Sequence, residues 1–207
     1  MAPVPIAPGM VWTNVSAGHG HCLAVRDDGT LWAWGLNSAG QLGDGSYTDT
    51  NIPVQASSDN GWLSVAAGYD HSLAVRKDGS LLAWGSNLYG ELGDGTVVNR
   101  SSPVQVGSDY TWAAVSGGMR HSLALRQDGT LWAWGDNSKG QLGDGSTIDK
   151  WIPVQVGTAD TWLGMSAGDL HSGAIRTGGT LWMWGYNASG QIGDATQTSR
   201  NAPVQLK

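Results

Sequence analysis

Residues 121–145 read HSLALRQDGTLWAWGDNSKGQLGDG, and this stretch decides the fold. Two apolar runs, Leu123-Ala124-Leu125 and Leu131-Trp132-Ala133-Trp134, flank the pair Asp128-Gly129. Asp-Gly between apolar strands is a strong hairpin signal and predicts a type I′ turn, which needs positive φ at both central residues. The segment after Gly135 predicts a compact loop, because its glycines take backbone conformations that other residues resist. The stretch recurs along the whole chain. Trp12, Trp62, Trp112 and Trp162 are spaced 50 residues apart, as are His21, His71, His121 and His171. Arg26, Trp34 and Pro53 recur in the same phase, giving four copies without an insertion or deletion.

Working outward, Val65–Ala67 and Ser72–Val75 read as short strands around Gly68-Tyr69-Asp70. In the fourth copy the hairpin pair becomes Gly178-Gly179, which also permits the turn. Pro53-Val54-Gln55 is expected to open the last strand of its unit, where proline's missing N–H is tolerated. About four short strands per unit, repeated in tandem, predict propeller blades, and the Trp and Leu of the W-A-W-G strand are expected to pack blade on blade. The chain then reads as one repeat domain, 1–207, with units at 12–61, 62–111, 112–161 and 162–207. Residues 1–11 are expected to supply an extra closing strand, since Pro3-Val4 repeats the phase of Pro203-Val204.

Composition agrees with an all-β class. The 207 residues include 32 Gly, about twice the usual share, together with 12 Trp and no Phe. Interior glycine disfavours helices, and twelve tryptophans are far too apolar for a disordered chain. With 11 basic and 17 acidic residues the net charge is −6, and no basic stripe marks a nucleic-acid or membrane-surface binder. No apolar run reaches the ~20 residues needed to span a bilayer. The single cysteine, Cys22, has no internal disulfide partner. The first ten residues show no basic and apolar signal-peptide regions, which leaves cytoplasmic and mature secreted locations both open.

The line G-x-x-H-S-L-A-L-x-x-D-G-x-L-W-A-W-G-x-N-x-x-G-Q-L-G-D-G, carried almost intact by residues 118–145, resembles the repeat of the RCC1 (regulator of chromosome condensation) family. That resemblance implies a β-propeller, typically of seven blades, and no single function. Four units fall short of such a ring. Three outcomes follow: the chain is a piece of a longer protein, two copies join, or four blades close alone. An open arc leaves bare strand edges, so the expectation is a half-propeller completed by oligomerisation, most simply a homodimer.

Several constellations invite chemistry. Four histidines around one axis would suit a metal, but no carboxylate recurs beside them, and the plainer reading is that each fixes a loop within its own blade. Ser72, Ser122 and Ser172 directly follow histidines, yet neighbouring residues of a strand point to opposite faces, so an adjacent His-Ser cannot form a catalytic pair. The G-D-G turns lack both the P-loop lysine and the calcium-loop ligand ladder. Plant ultraviolet-B receptors are similar to this propeller, and their sensing motif resembles G-W-R-H-T. The corresponding segments here, Gly18–His21, Gly68–His71, Gly118–His121 and Gly168–His171, hold no Trp. Nucleotide exchange on a small GTPase is also implied only by the family, and no insertion between the units resembles a wedge for it.

Positions that vary between units are the better place for a specific surface. One patch precedes the histidines: His19-Gly20, Tyr69-Asp70, Met119-Arg120 and Asp169-Leu170. A second surrounds the repeated Asn and includes Leu36, Tyr89, Lys139 and Tyr186. A third lies before the proline, with Tyr47, Arg100, Lys150-Trp151 and Arg200. Tyr, Trp, Met and Arg are the types enriched at interface hot spots. The expected binding face is therefore Tyr69, Asp70, Met119, Arg120, Tyr89, Lys139, Tyr186 and Trp151. The expected function is a non-enzymatic scaffold for a protein partner, without cofactor or metal. An inhibitor-type binder of an enzyme and a purely structural assembly unit are the alternatives.

Overall fold

The computed structural model describes residues 5–6 and 9–206; the expected extra strand at Pro3-Val4 lies outside them. Blade one is a four-stranded antiparallel sheet of β1 (Trp12–Ala17), β2 (His21–Arg26), β3 (Leu31–Gly35) and β4 (Thr50–Gln55), in that order. Blade two repeats it with β5 (Trp62–Ala67), β6 (His71–Arg76), β7 (Leu81–Gly85) and β8 (Arg100–Gln105). Blade three has β9 (Trp112–Gly117), β10 (His121–Arg126), β11 (Leu131–Gly135) and β12 (Lys150–Gln155). Blade four has β13 (Trp162–Ala167), β14 (His171–Arg176), β15 (Leu181–Gly185) and β16 (Arg200–Gln205). The first strands β1, β5, β9 and β13 lie side by side around the axis, and the fourth strands form the rim.

The core lies between blades. Leu23, Val25, Leu31 and Ala33 of blade one bury against Val65, Ala67, Ala74 and Trp84 of blade two, and two equivalent clusters fill the next seams. Trp84, Trp134 and Trp184 are fully buried, and each indole N–H donates 2.9 Å to a carbonyl in the preceding blade, from Gln41, Glu91 and Gln141 respectively. The W-A-W-G strand thus packs blade to blade as expected.

Two local readings are corrected. The Asp-Gly hairpins are not type I′, because Asp28, Asp78 and Asp128 keep negative φ and only the glycine turns positive. Asp28 Oδ1 accepts from the Thr30 N–H (3.0 Å) and hydroxyl (2.6 Å), which holds a longer turn closed by Arg26 N–H to Thr30 O. This local capture by Asp outcompetes the left-handed conformation. The last strand also starts before its proline, at Thr50, and Pro53 sits inside it. It is tolerated there because β4 is an outermost strand whose register shifts between Ala33 and Gly35.

Candidate functional site

The β1–β2 turn and the β3–β4 loop emerge at the same end of each blade, because His21 pairs with Gly35. Each long loop is built around a fully buried asparagine. Asn37 Nδ2 donates to Asp44, Ser46 and Thr48, while its Oδ1 accepts from the Leu42 N–H at 2.9 Å. Asn87, Asn137 and Asn187 do the same in their blades. The four loops are therefore rigid supports for whatever side chains they carry.

At the axis the first variable patch converges. His19 and Tyr69 stack at 3.8 Å between ring centroids with planes 9° apart. Together with Met119 and Asp169 they rim a shallow recess of about 280 Å³ lined by all four blades. Their backbones are stitched from blade to blade, with His19 N–H bonded to Gly68 O, Tyr69 N–H to Gly118 O and Met119 N–H to Asp169 O.

Further out, the first and second patches meet across seams. Arg120 of blade three lies 4.5 Å above the Tyr89 ring of blade two and donates 2.9 Å to its hydroxyl. Asp70 of blade two accepts from Gln41 of blade one at 3.3 Å. Lys139 is exposed and Tyr186 half-buried on the same end, so seven of the eight predicted residues share this face. Trp151 stands apart on the rim. Its backbone carbonyl accepts from the Gly95 N–H, and a methyl group on Gly90 would fall 2.5 Å from its ring, so it covers the outer end of the seam between blades two and three. Of the third patch, Arg100, Lys150 and Arg200 are ion-paired to Asp94, Asp144 and Asp194 of their own loops.

One buried charge escaped the sequence reading. Glu91 stands where the other units have Gln41, Gln141 and Gln191, a substitution that was visible in the repeat. It is fully enclosed beneath Tyr89, accepting from the Ser86 hydroxyl and the Tyr89 N–H, each at 2.7 Å. Burial pushes its carboxyl above the usual range, against the pull of those hydrogen bonds and of Arg120.

Three of the four histidines bond to the next blade and not to their own. His21 Nε2 lies 2.9 Å from Ser72 Oγ of the next blade, and His71–Ser122 and His121–Ser172 repeat the pair at 3.0 and 2.9 Å. Each serine donates to the carbonyl that also receives the seam tryptophan, so its oxygen accepts from the histidine N–H. The expectation of a bond within one blade is corrected because β2 points His21 into the seam, toward β6. Nor is this a catalytic couple. The serines are fully buried, and His71 Nδ1 has no partner among the described residues to orient it. Among the described residues no group of three or more His, Cys, Asp or Glu side chains is gathered to hold a metal ion.

Profiles of the Regulator of chromosome condensation (RCC1) repeat match residues 28–75, 78–125 and 128–175, and a second form matches 12–41, 62–91, 112–141 and 164–191. The chain is similar in fold to Prp20p of Saccharomyces cerevisiae, described with its binding to Gsp1p and histones, at TM-score 0.88 and 23% identity over 99% of this chain and 52% of that one. Human WBSCR16 gives TM-score 0.85 and 24% identity over 95% and 53% of the two chains. The ultraviolet-B receptor UVR8 of Arabidopsis thaliana is 36% identical over 59 residues, 28% of this chain and 13% of that protein. The chain thus spans about half the length of these solved relatives.

Proposed function

The chain belongs to the RCC1 repeat family, and from that premise we propose that it is a non-enzymatic scaffold whose loop face is read by a protein partner. The observation that carries this reading is the convergence of variable residues on one rigid face. Most scaffold positions repeat from blade to blade, whereas His19, Tyr69, Met119 and Asp169 all differ around a recess that all four blades line. Aromatic, Met and Arg side chains there are the chemistry of interface hot spots. At about 280 Å³ the recess is smaller than the usual small-ligand pocket, which favours a macromolecular surface. The net charge of −6 favours protein over nucleic acid. Binding of Gsp1p and histones by Prp20p is a precedent for protein recognition on this fold, without naming the partner here.

The test compares affinity capture by the wild type with capture by Tyr69→Ala/Tyr89→Ala at equal concentration, with folding checked by circular dichroism. Selective loss of the captured proteins supports the reading. Identical capture by the folded double variant removes this face.

A further inference from the structure

The internal seams follow one chemical rule, and the two outer faces of the arc keep its separate halves. At each internal seam the earlier blade presents a histidine Nε2, a loop carbonyl and an apolar sheet face. The later blade presents a serine hydroxyl, a tryptophan N–H and a valine or methionine from its first strand. Blade four, as the earlier partner, offers the Gln191 carbonyl together with His171, Ile175, Leu181 and Met183, which line an apolar surface recess of about 420 Å³. Blade one, as the later partner, offers Cys22 in the serine position, Trp34 and Val15.

Both faces remain apolar although nothing among the described residues covers them. Val15 is 69% exposed where its counterpart Val65 is 7%, and Ile175 is 46% exposed where Val75 is fully buried. A sheet face that stays in water carries polar side chains, and these two do not. On blade four the apolar volume has been rearranged, not lost. Gly173 replaces the leucine of the other units and Met183 replaces their alanine, and Met183 Sδ lies 2.5 Å from where a Gly173 side chain would begin. The loop shape matches as well. At internal seams the glycine loop of the earlier blade abuts the later blade's rim strand, with Gly45 N–H bonded to Ser101 O and Gly145 N–H to Asn201 O. The counterpart on blade one is an open recess of about 680 Å³ formed by Trp34, Gly35, Asp49, Thr50, Asn51 and Ile52.

We propose that these faces are two halves of one seam and that a second copy of this chain supplies the missing half on each side, so that two copies close head to tail into a ring. In that seam His171 of one copy meets Cys22 of the other, the Gln191 carbonyl receives the Trp34 N–H, and the Gly190–Ala195 loop fills the recess beside Asn51. A two-fold pair uses this contact twice and leaves no sheet face bare. The inference does not depend on the partner-binding loop face.

The wild-type mass in solution, by light scattering and sedimentation, is the first measurement. Twice the 21.6 kDa of one chain is expected at micromolar concentration. Ile175→Asp, at a site exposed in the single arc, is expected to give a folded one-chain species. Cys22 supplies a readout without any variant. Its half-buried thiol becomes enclosed in the seam, as Ser72, Ser122 and Ser172 are, so alkylation slows at least tenfold at high protein concentration and recovers on dilution. A one-chain mass at high micromolar concentration overturns the proposal. So does a two-chain mass unaffected by Ile175→Asp, or Cys22 reactivity independent of concentration. Species growing beyond two copies overturn closure.

Discussion

His71 Nε2 lies 3.0 Å from Ser122 Oγ across the seam between blades two and three, and that hydroxyl donates 2.7 Å to the Glu91 carbonyl. The histidine is fully buried, and its pKa is lowered from 6.5 to about 3 by burial and by His121 and His21. His21 and His121 are lowered to about 4, chiefly by burial. Each side chain is thus neutral in the fold and protonates at about 6.5 when unfolded. Stability from these groups is complete above pH 6.5 and falls as pH drops toward 4, by about 1.4 kcal/mol per unit for each histidine. Urea midpoints between pH 7.5 and 4.5 check this. A flat profile across that window would show that the seams open or hydrate readily.

Removing the relay atom tests the seam directly. Ser122→Ala leaves the His71 N–H without its acceptor in a closed site, and a loss of about 1–3 kcal/mol is expected. The same change at Ser72 or Ser172 should cost a similar amount, because the geometry repeats at 2.9 Å. Chemical denaturation of the three single variants makes the comparison.

The blades were legible because the repeat puts each apolar residue on a fixed strand face, and period-two alternation with glycine punctuation needs no long-range knowledge. What joins the blades was less legible. His21 and Ser72 are 51 residues apart, and nothing local tells a strand that its polar residue bonds to the next sheet instead of its own loop. Variability between units marks out loop positions, yet the pairing of Arg120 with Tyr89 depends on blade rotation and is visible only in three dimensions. Glu91 was overlooked for a different reason. A Gln-to-Glu change in a glycine-rich loop reads as solvent variation, and only its enclosure makes it a buried carboxylate.

Glu91→Gln is expected to stabilise the protein at pH 7. Glutamine already fills this position in the other blades, where its Oε1 accepts from the N–H two residues earlier at 2.8–2.9 Å. The carboxyl of Glu91 has a raised pKa, so its contribution to stability is present below the ordinary glutamate range and is lost as pH rises through the folded value. The variant should therefore gain stability at pH 7, by about 1 kcal/mol for relief of a buried charge, and gain little at pH 4. Thermal melts at the two pH values give the sign. A loss at pH 7 would mean that Arg120 and the Ser86 hydroxyl outweigh the cost of burying the charge.

Side chains of the loop face should behave oppositely to scaffold residues. Tyr69→Ala removes one side of the His19 stack from a half-exposed rim, and Arg120→Ala removes a contact that is open to solvent. Each is expected to change stability by less than about 1 kcal/mol. A larger loss in denaturant would move these residues from the partner surface to the framework.

Three glycine-loop substitutions separate backbone strain from steric contact. Ala195 occupies a position held by glycine in the other three units and has φ 62°. A non-glycine residue pays a conformational penalty there, so Ala195→Gly should stabilise by about 0.5–1 kcal/mol. Gly93 also has positive φ, at 73°, but a methyl group there would sit 2.7 Å from Trp134 Nε1. That nitrogen donates 2.9 Å to the Glu91 carbonyl, so Gly93→Ala combines backbone strain with displacement of the seam tryptophan. A loss of about 3 kcal/mol or more is expected, set by the unsatisfied indole N–H and the shifted ring. Gly145→Ala is the control, since it has φ 85° and open space around it. It should lose only the backbone part, about 1 kcal/mol. Equal losses for Gly93→Ala and Gly145→Ala would show that the loop, not the tryptophan, gives way.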